Sequence, residues 1–260
     1  MPKYKVLIIL FFIIIAGCAP AHPEAGKIRA SEKDGMLQVF IPAGFFTMGS
    51  AADDPQADED EKPSHEVYLD AFWMDRTEVT NAMYLRCISS RACTPPARSI
   101  YYAKPEYANH PVIGISWVQA QEYCQWAEKR LPTEAEWEKA ARGTDGRIYP
   151  WGDMRPTIEL ANFNHHVNET VQVGIFENGA SPYGMLDMAG NAWEWVTDGY
   201  QSDFYSRSPE ENPISDIPVN RRVLRGGNWD SNEDGIRVTN RFWAFPGRND
   251  TDGFRCAQSD

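Results

Sequence analysis

The second half of the chain places the strongest constraint on its fold. After Gly143 the sequence is rich in Gly, Asn, Asp and Trp and has no long segment of helical or strand period. Only short strand-like pieces appear, at 193–197, 222–225 and 252–258. Such a chain cannot build its core from long amphipathic elements, so turns, aromatic packing and staples must do that work. The 19 Gly and 18 Pro among 260 residues supply turns, and 9 Trp, 11 Tyr and 12 Phe supply bulky apolar groups. That aromatic load excludes a disordered chain. A formal net charge of −12 argues against nucleic acid as a partner, because phosphate recognition needs clustered Lys and Arg.

Three helices announce themselves by their start signals. Thr80 is placed to cap residues 81–88. Ser116 with Gln119 forms a capping-box pattern at the head of a helix over 117–129, with Trp117, Ala120, Tyr123, Cys124 and Ala127 on one face. Thr133 with Glu136 repeats the pattern, and Gly143 supplies the stop. Residues 36–41 alternate weakly and end at Pro42-Ala43-Gly44, which reads as a strand and turn. Residues 65–73 read as one further strand. Six acids crowd the nine positions from Asp53 to Glu61, and like charges at that density predict a solvated loop.

The N-terminus carries a different signal. Lys3 and Lys5 precede an unbroken apolar run from Val6 to Ile15, followed by Ala16, Gly17 and Cys18. The run is too short to span a bilayer and has the form of a secretory signal. Ile15-Ala16-Gly17-Cys18 resembles a bacterial lipobox, whose cysteine becomes the lipidated first residue. The expected organisation is a lipoprotein signal peptide at 1–17, a lipidated Cys18 with a flexible tether to residue 35, and a folded domain over 36–260. The tether would reach at most roughly 55–60 Å. The expected location is the bacterial cell envelope, lipid-anchored at the outer membrane or facing the periplasm, with the membrane engaged through the lipid. Beyond Cys18 four cysteines remain, which allow three connectivities. Cys87 and Cys93 are close enough for a local disulfide and too isolated for a four-ligand zinc site.

One stretch is specific. In Arg130–Glu138 (RLPTEAEWE), Pro132 and Thr133 start a helix, Trp137 turns inward and acids occupy the first turn. Ala140–Gly143 (AARG), Tyr149–Gly152 (YPWG), Phe72–Asn81 (FWMDRTEVTN), Pro111–Trp117 (PVIGISW), Tyr183–Trp195 (YGMLDMAGNAWEW), Arg225-Gly226-Gly227 and Gly253–Cys256 (GFRC) accompany it. Together these blocks resemble the formylglycine-generating-enzyme, or sulfatase-modifying factor, family. The resemblance implies an α+β fold, a variant of the C-type lectin fold with little regular secondary structure and short helices beside small antiparallel sheets. It also implies a Cys124–Cys256 disulfide and structural calcium. Asp187, Gly190, Ala192 and Glu194 match one calcium site of the family, and a hard cation suits their carboxylates and loop carbonyls. Asn162 and Phe163 match the start of a second.

The same resemblance raises a chemical objection. Formylglycine-generating enzymes oxidise a substrate cysteine with dioxygen and a copper ion held by two cysteines, and Cu(I) favours soft thiolates. Those cysteines follow the Arg-Gly-Gly block at positions that here hold Ser231 and Ile236, and Asn228 replaces a neighbouring serine. A hydroxyl is a poor Cu(I) ligand and an isoleucine is none, so neither copper nor formylglycine generation is expected. No catalytic residue is assigned. The polar surface formed by Asn228, Trp229, Ser231, Asp234, Arg237, Asn240 and Arg241, where the groove should lie, suits a binding or assembly module for an envelope protein or extracytoplasmic ligand. The alternative is an oxidoreductase-type maturation factor with cysteine-independent chemistry, a role taken by some periplasmic relatives without the cysteine pair. His165-His166, the sole histidine cluster, reads as a surface loop.

Overall fold

The computed structural model describes residues 23–96, 101–217, 220–247 and 251–260. The expected signal peptide and Cys18 lie outside the described residues. One four-stranded sheet has the order β1-β2-β5-β10, built from β1 (Ile28–Ala30), β2 (Leu37–Ile41), β5 (Phe72–Asp75) and β10 (Ala257–Ser259). A hairpin of β3 (Gly44–Met48) and β4 (His65–Leu69) forms a second sheet. A third has the order β8-β7-β6-β9, from β6 (Trp193–Gly199), β7 (Arg222–Arg225), β8 (Phe242–Ala244) and β9 (Asp252–Gly253). Three α-helices, α1 (Asn81–Ser89), α2 (Trp117–Trp126) and α3 (Glu134–Arg142), and several short 3-10 turns complete the regular structure of the described residues. This is the expected α+β architecture of short helices beside small sheets.

The helix starts form as the side chains dictate. Thr80 accepts from the Met83 amide at the head of α1. Ser116 and Gln119 close a capping box on α2, and Thr133 and Glu136 close another on α3. Helix α2 stops at Trp126, three residues early, because Glu128 adopts a left-handed conformation with φ 60°. Every residue of α3 is buried, charged ones included. Its Trp137 packs with Val39, Phe72, Met188 and Val196 in one hydrophobic cluster. A second cluster gathers α1 and α2 around Tyr84, stacked on Tyr123 at 5.7 Å, with Phe254 and Trp195 beside them. Both expected disulfides form there: Cys87–Cys93 ties off the end of α1, and Cys124–Cys256 joins α2 to the C-terminal segment.

Four expectations need correction. The stretch 65–73 is two strands in different sheets, because Asp70 breaks the run; its amide and carboxylate are both bound by Asn212 (2.9 and 3.0 Å). The piece 252–258 likewise divides into β9 and β10. The expected tether is also largely folded. Gly26 donates to the Phe40 carbonyl, β1 pairs with β2, and the buried Asp34 receives Lys129 at 2.9–3.0 Å and Tyr123 at 3.1 Å. Three strand residues are too few to show a period, and the buried role of Asp34 depends on partners some 90 residues away. Finally, the acidic segment is not wholly solvated. Its end forms a short 3-10 turn, Glu59–Glu61, and Glu61 is fully buried against Arg237.

Candidate functional site

Strand β7 leads into Gly226 and Gly227, both in the left-handed region at φ 91° and 76°. A Cβ on Gly227 would stand 2.7 Å from the Gly235 carbonyl and from Ile236, so only glycine lets the following loop close on itself. Asn228 organises that loop. Its Oδ1 accepts from the Ser231 amide (3.0 Å), the Ser231 hydroxyl (2.8 Å) and the Asp230 amide (3.2 Å). The Ser231 Oγ also accepts from the Asn228 amide at 3.0 Å, so the hydroxyl is spent on holding the loop. Ile236 is fully buried in an apolar cluster with Tyr149, Ala161, Phe163 and Ala189.

A second loop lines the first. The Asn164 amide donates to the Ser231 carbonyl (2.8 Å) and the His165 amide to the Trp229 carbonyl (2.9 Å). Asn164 and His165 are consecutive left-handed residues at φ 52° and 57°, a strained arrangement of the kind found at binding sites. The His165 imidazole meets the Asp230 carboxylate and packs edge-on against Trp229 at 5.6 Å. Beside these loops lies an open groove of about 390 Å³, lined by Gln56, Arg155, Asn164, Asn232, Glu233 and Asp234. Tyr149 and Trp151 stack nearby at 5.2 Å, and the Tyr149 hydroxyl donates to the Glu233 carbonyl at 3.4 Å.

Of the expected groove residues, Asp234 lines the groove, and Asn228, Trp229 and Ser231 stand in the loop beside it. Arg237 and Arg241 do not line it. They are 2% and 5% exposed. Arg237 binds both oxygens of Glu61 (2.6 and 2.8 Å) and the Gln56 carbonyl; Arg241 binds both oxygens of Glu134 (2.7 and 3.0 Å) and the Asp60 carbonyl. The half-buried Asn240 gives its carbonyl to Arg225 at 2.9 Å. This run reads as polar surface in the sequence because its carboxylate partners sit far off in the chain. His165, Asp230, Gln56, Arg155, Asn164, Asn232 and Glu233 join the site instead. The histidine pair was visible as a cluster; nothing local to Gln56 or Arg155 marked them.

Beneath the site, burial would raise the Glu134 carboxyl, but Arg241 and Arg225 hold it below the usual range. Arg225 also reaches Glu138 at 2.7 Å and three carbonyls between Val238 and Asn240. Asp198 accepts from the Glu134 and Ser215 amides at 2.8 Å each, and burial followed by the Glu134 charge pushes it up to about 7.

The expected calcium ligands can be tested against their surroundings. Among the described residues no cluster of three or more His, Cys, Asp or Glu side chains is arranged for a metal. Both Glu194 oxygens are taken, by Arg255 (2.7 Å each) and by the Trp137 indole (2.9 Å). Asp187 differs. Asp187 accepts from the Gly174 amide at 2.6 Å and hydrogen-bonds with the Glu78 carboxyl, while Asn162 Oδ1 is buried without a partner. Glu78 interacts with Asp187 directly, and burial together with that neighbour drives the Glu78 carboxyl well above its ordinary range. Asn162 stands close by: its carbonyl accepts from Asn191 (2.8 Å), and a Cβ on Gly190 would lie 2.2 Å from it. Phe163, by contrast, packs in the apolar cluster with Ile236. Two paired carboxyls and a nearby amide oxygen without a partner are the kind of oxygen donors a hard cation takes. Any cation there would be held by Asp187 and Glu78, since Glu194 already serves Arg255.

A profile of the sulfatase-modifying factor enzyme 1-like domain matches residues 24–260. The chain belongs to the formylglycine-generating-enzyme family. The formylglycine-generating enzyme of Streptomyces coelicolor is 33% identical over 303 residues, covering 94% of this chain and 96% of that protein. The serine/threonine-protein kinase pkn1 of Chlamydia caviae is 37% identical over 243 residues, covering 85% of this chain but only 37% of its own length. The chain thus spans little more than a third of that relative. Among solved structures, PvdO from Pseudomonas aeruginosa superimposes with a TM-score of 0.79 at 27% identity, over 92% of this chain and all of that one.

The pH dependence of stability follows from the buried carboxyls of this family scaffold. Asp198 lies at about 7, and Asp75, raised by burial against the pull of Lys129, at about 6. Both exceed the unfolded value near 4, so the folded protein binds more protons between about pH 4 and 7. Their contribution is full below about pH 4 and is lost as the pH rises through 7. Melting temperature should fall from pH 5 to pH 8, and Asp198→Asn should flatten the part above pH 6. A rise over that interval, or an unchanged slope in the variant, contradicts the assignment.

Proposed function

We propose that this protein is an envelope-anchored, lipidated member of the family that does not make formylglycine and acts as a binding or assembly module through the groove beside Trp229. The observation that carries this reading is the state of the two positions matching the family's copper ligands. Ser231 spends its hydroxyl inside its own loop and Ile236 is sealed in an apolar cluster. The four described cysteines are all consumed in disulfides, so no described thiol is available to replace the missing pair. The scaffold around the vacated chemistry is otherwise retained, as a surface kept for recognition would be. The family's occurrence under names as different as pkn1 and PvdO is consistent with a scaffold used for more than one purpose.

One observation favours the second reading, a maturation factor with cysteine-independent chemistry. His165 and Asp230 form a half-exposed pair beside the groove, with His165 on left-handed backbone at φ 57°, the residue types that move protons in catalysis.

A photo-crosslinking residue at Asn232, introduced into the full chain in cells, separates the two. The binding reading expects a discrete protein adduct that is lost on Trp229→Ala with the fold intact. No adduct, together with conversion of a small molecule that is abolished by His165→Asn, overturns it in favour of chemistry.

Calcium held by Asp187 and Glu78 belongs to the same proposal. Because a ligand that binds only the folded state stabilises it, calcium at a hundredfold excess over Kd should add about 2.7 kcal/mol. Chelation should lower the melting temperature of the wild type and leave that of Asp187→Asn unmoved. A wild-type melt indifferent to chelator removes the site.

A further inference from the structure

The folded start of the domain leaves very little chain between it and Cys18. Four residues, 19–22, separate that cysteine from Pro23, the first described residue. Fully extended, they let Pro23 stand at most roughly 17 Å from a lipidated cysteine. A compact domain of this size has a radius of gyration of about 17–18 Å. The leash is no longer than that radius, so the domain cannot roll freely over the membrane. Resting on the lipid-anchor reading, the geometry points to one face: we propose that the edge formed by β1, the β1–β2 turn and the start of β2 lies against the phospholipid headgroups, with Ile28 and Leu37 at the interface.

The surface there has suitable chemistry. The chain is fixed from its first turn, since Gly26 donates to the Phe40 carbonyl at 3.0 Å and Phe40 donates back to Lys27 at 2.9 Å. Strand β1 is the outer strand of its sheet. Ile28 and Leu37 are 47% and 45% exposed. Register places Ile28 opposite Val39 and Ala30 opposite Leu37, so all four side chains share one face of the sheet. Val39 is fully buried, which leaves Ile28 and Leu37 as the exposed margin of an apolar face. At the turn the Lys33 ammonium stands 5.8 Å over the half-buried Trp126 ring, and an indole beside a long cationic side chain suits the headgroup zone. Lys27, Arg29 and Lys33 nearly balance Glu24, Glu32, Glu128 and Asp260 in this neighbourhood. Most of the acid surplus of a chain carrying −12 therefore lies elsewhere, and an anionic leaflet is little repelled at this edge.

The test uses full-length lipidated protein in vesicles of phosphatidylethanolamine and phosphatidylglycerol. Ile28→Cys, Leu37→Cys and, as a control on the acidic segment, Glu59→Cys are each labelled with an environment-sensitive dye. Lipids carrying a spin label near the headgroup should quench the dye at 28 and 37 several-fold more strongly than at 59. Equal quenching at the three positions overturns the proposal. So does protein-concentration-dependent self-quenching at 28 and 37 without lipid quenching, which would mean that a second copy covers the edge. Mass spectrometry of the same sample reports the acyl chains on Cys18. Their absence overturns the proposal through its anchor, whereas acylated protein without quenching overturns the orientation alone and leaves the anchor and the groove reading standing.

Discussion

Arg225 and Arg241 run into the interior to meet Glu134 and Glu138 on α3, and much of the molecule hangs on that meeting. All four side chains are essentially excluded from solvent, and Tyr205 completes the cluster over Glu134 and Glu138. Removing one member of such a group strands a buried charge and costs about 3–5 kcal/mol, although the intact group adds little beyond what apolar packing would. Its value is geometric. It fixes β7 and the segment after the groove loop to α3, every residue of which is buried. Through the Asp60 carbonyl and the neighbouring Glu61–Arg237 pair it also draws the acidic segment down onto the same core.

A second buried pair extends the same logic. Arg255 binds Glu194 with two 2.7 Å contacts and donates to carbonyls at Asp75, Arg76, Leu186 and Asp187. One guanidinium thereby joins the first sheet, the Asp187 loop and β6. A protein with short strands and long loops needs such cross-links, because regular hydrogen bonding reaches few of its segments. In the loop from Asn228 to Ile236 the Ser231 hydroxyl holds the backbone path and Ile236 fills the core.

What could be read in the sequence were features whose cause is local, or whose pattern is specific to the family. Thr133 and Glu136 sit three residues apart and close a capping box wherever a helix follows. Trp137 points inward by helical period. The Cys124–Cys256 pairing came from resemblance, not from spacing. Failures arose where a partner lies far along the chain. Arg237 and Arg241 look like surface cations until Glu61 and Glu134 are seen beneath them, and Glu61 looks solvated for the same reason. Asp34 within an apparent tether becomes a buried anion only because Lys129 reaches it. The groove drew residues from four separate segments around 56, 155, 164 and 232, and no one-dimensional pattern joins these.

In the proposed reading this scaffold has given up the family's thiolate copper site, and competition for Cu(I) against bicinchoninate tests it. The folded protein, with its disulfides intact, should take no copper from the chelator, and Ser231→Cys with Ile236→Cys should create a site that does. Stoichiometric capture of Cu(I) by the wild-type protein would contradict that reading.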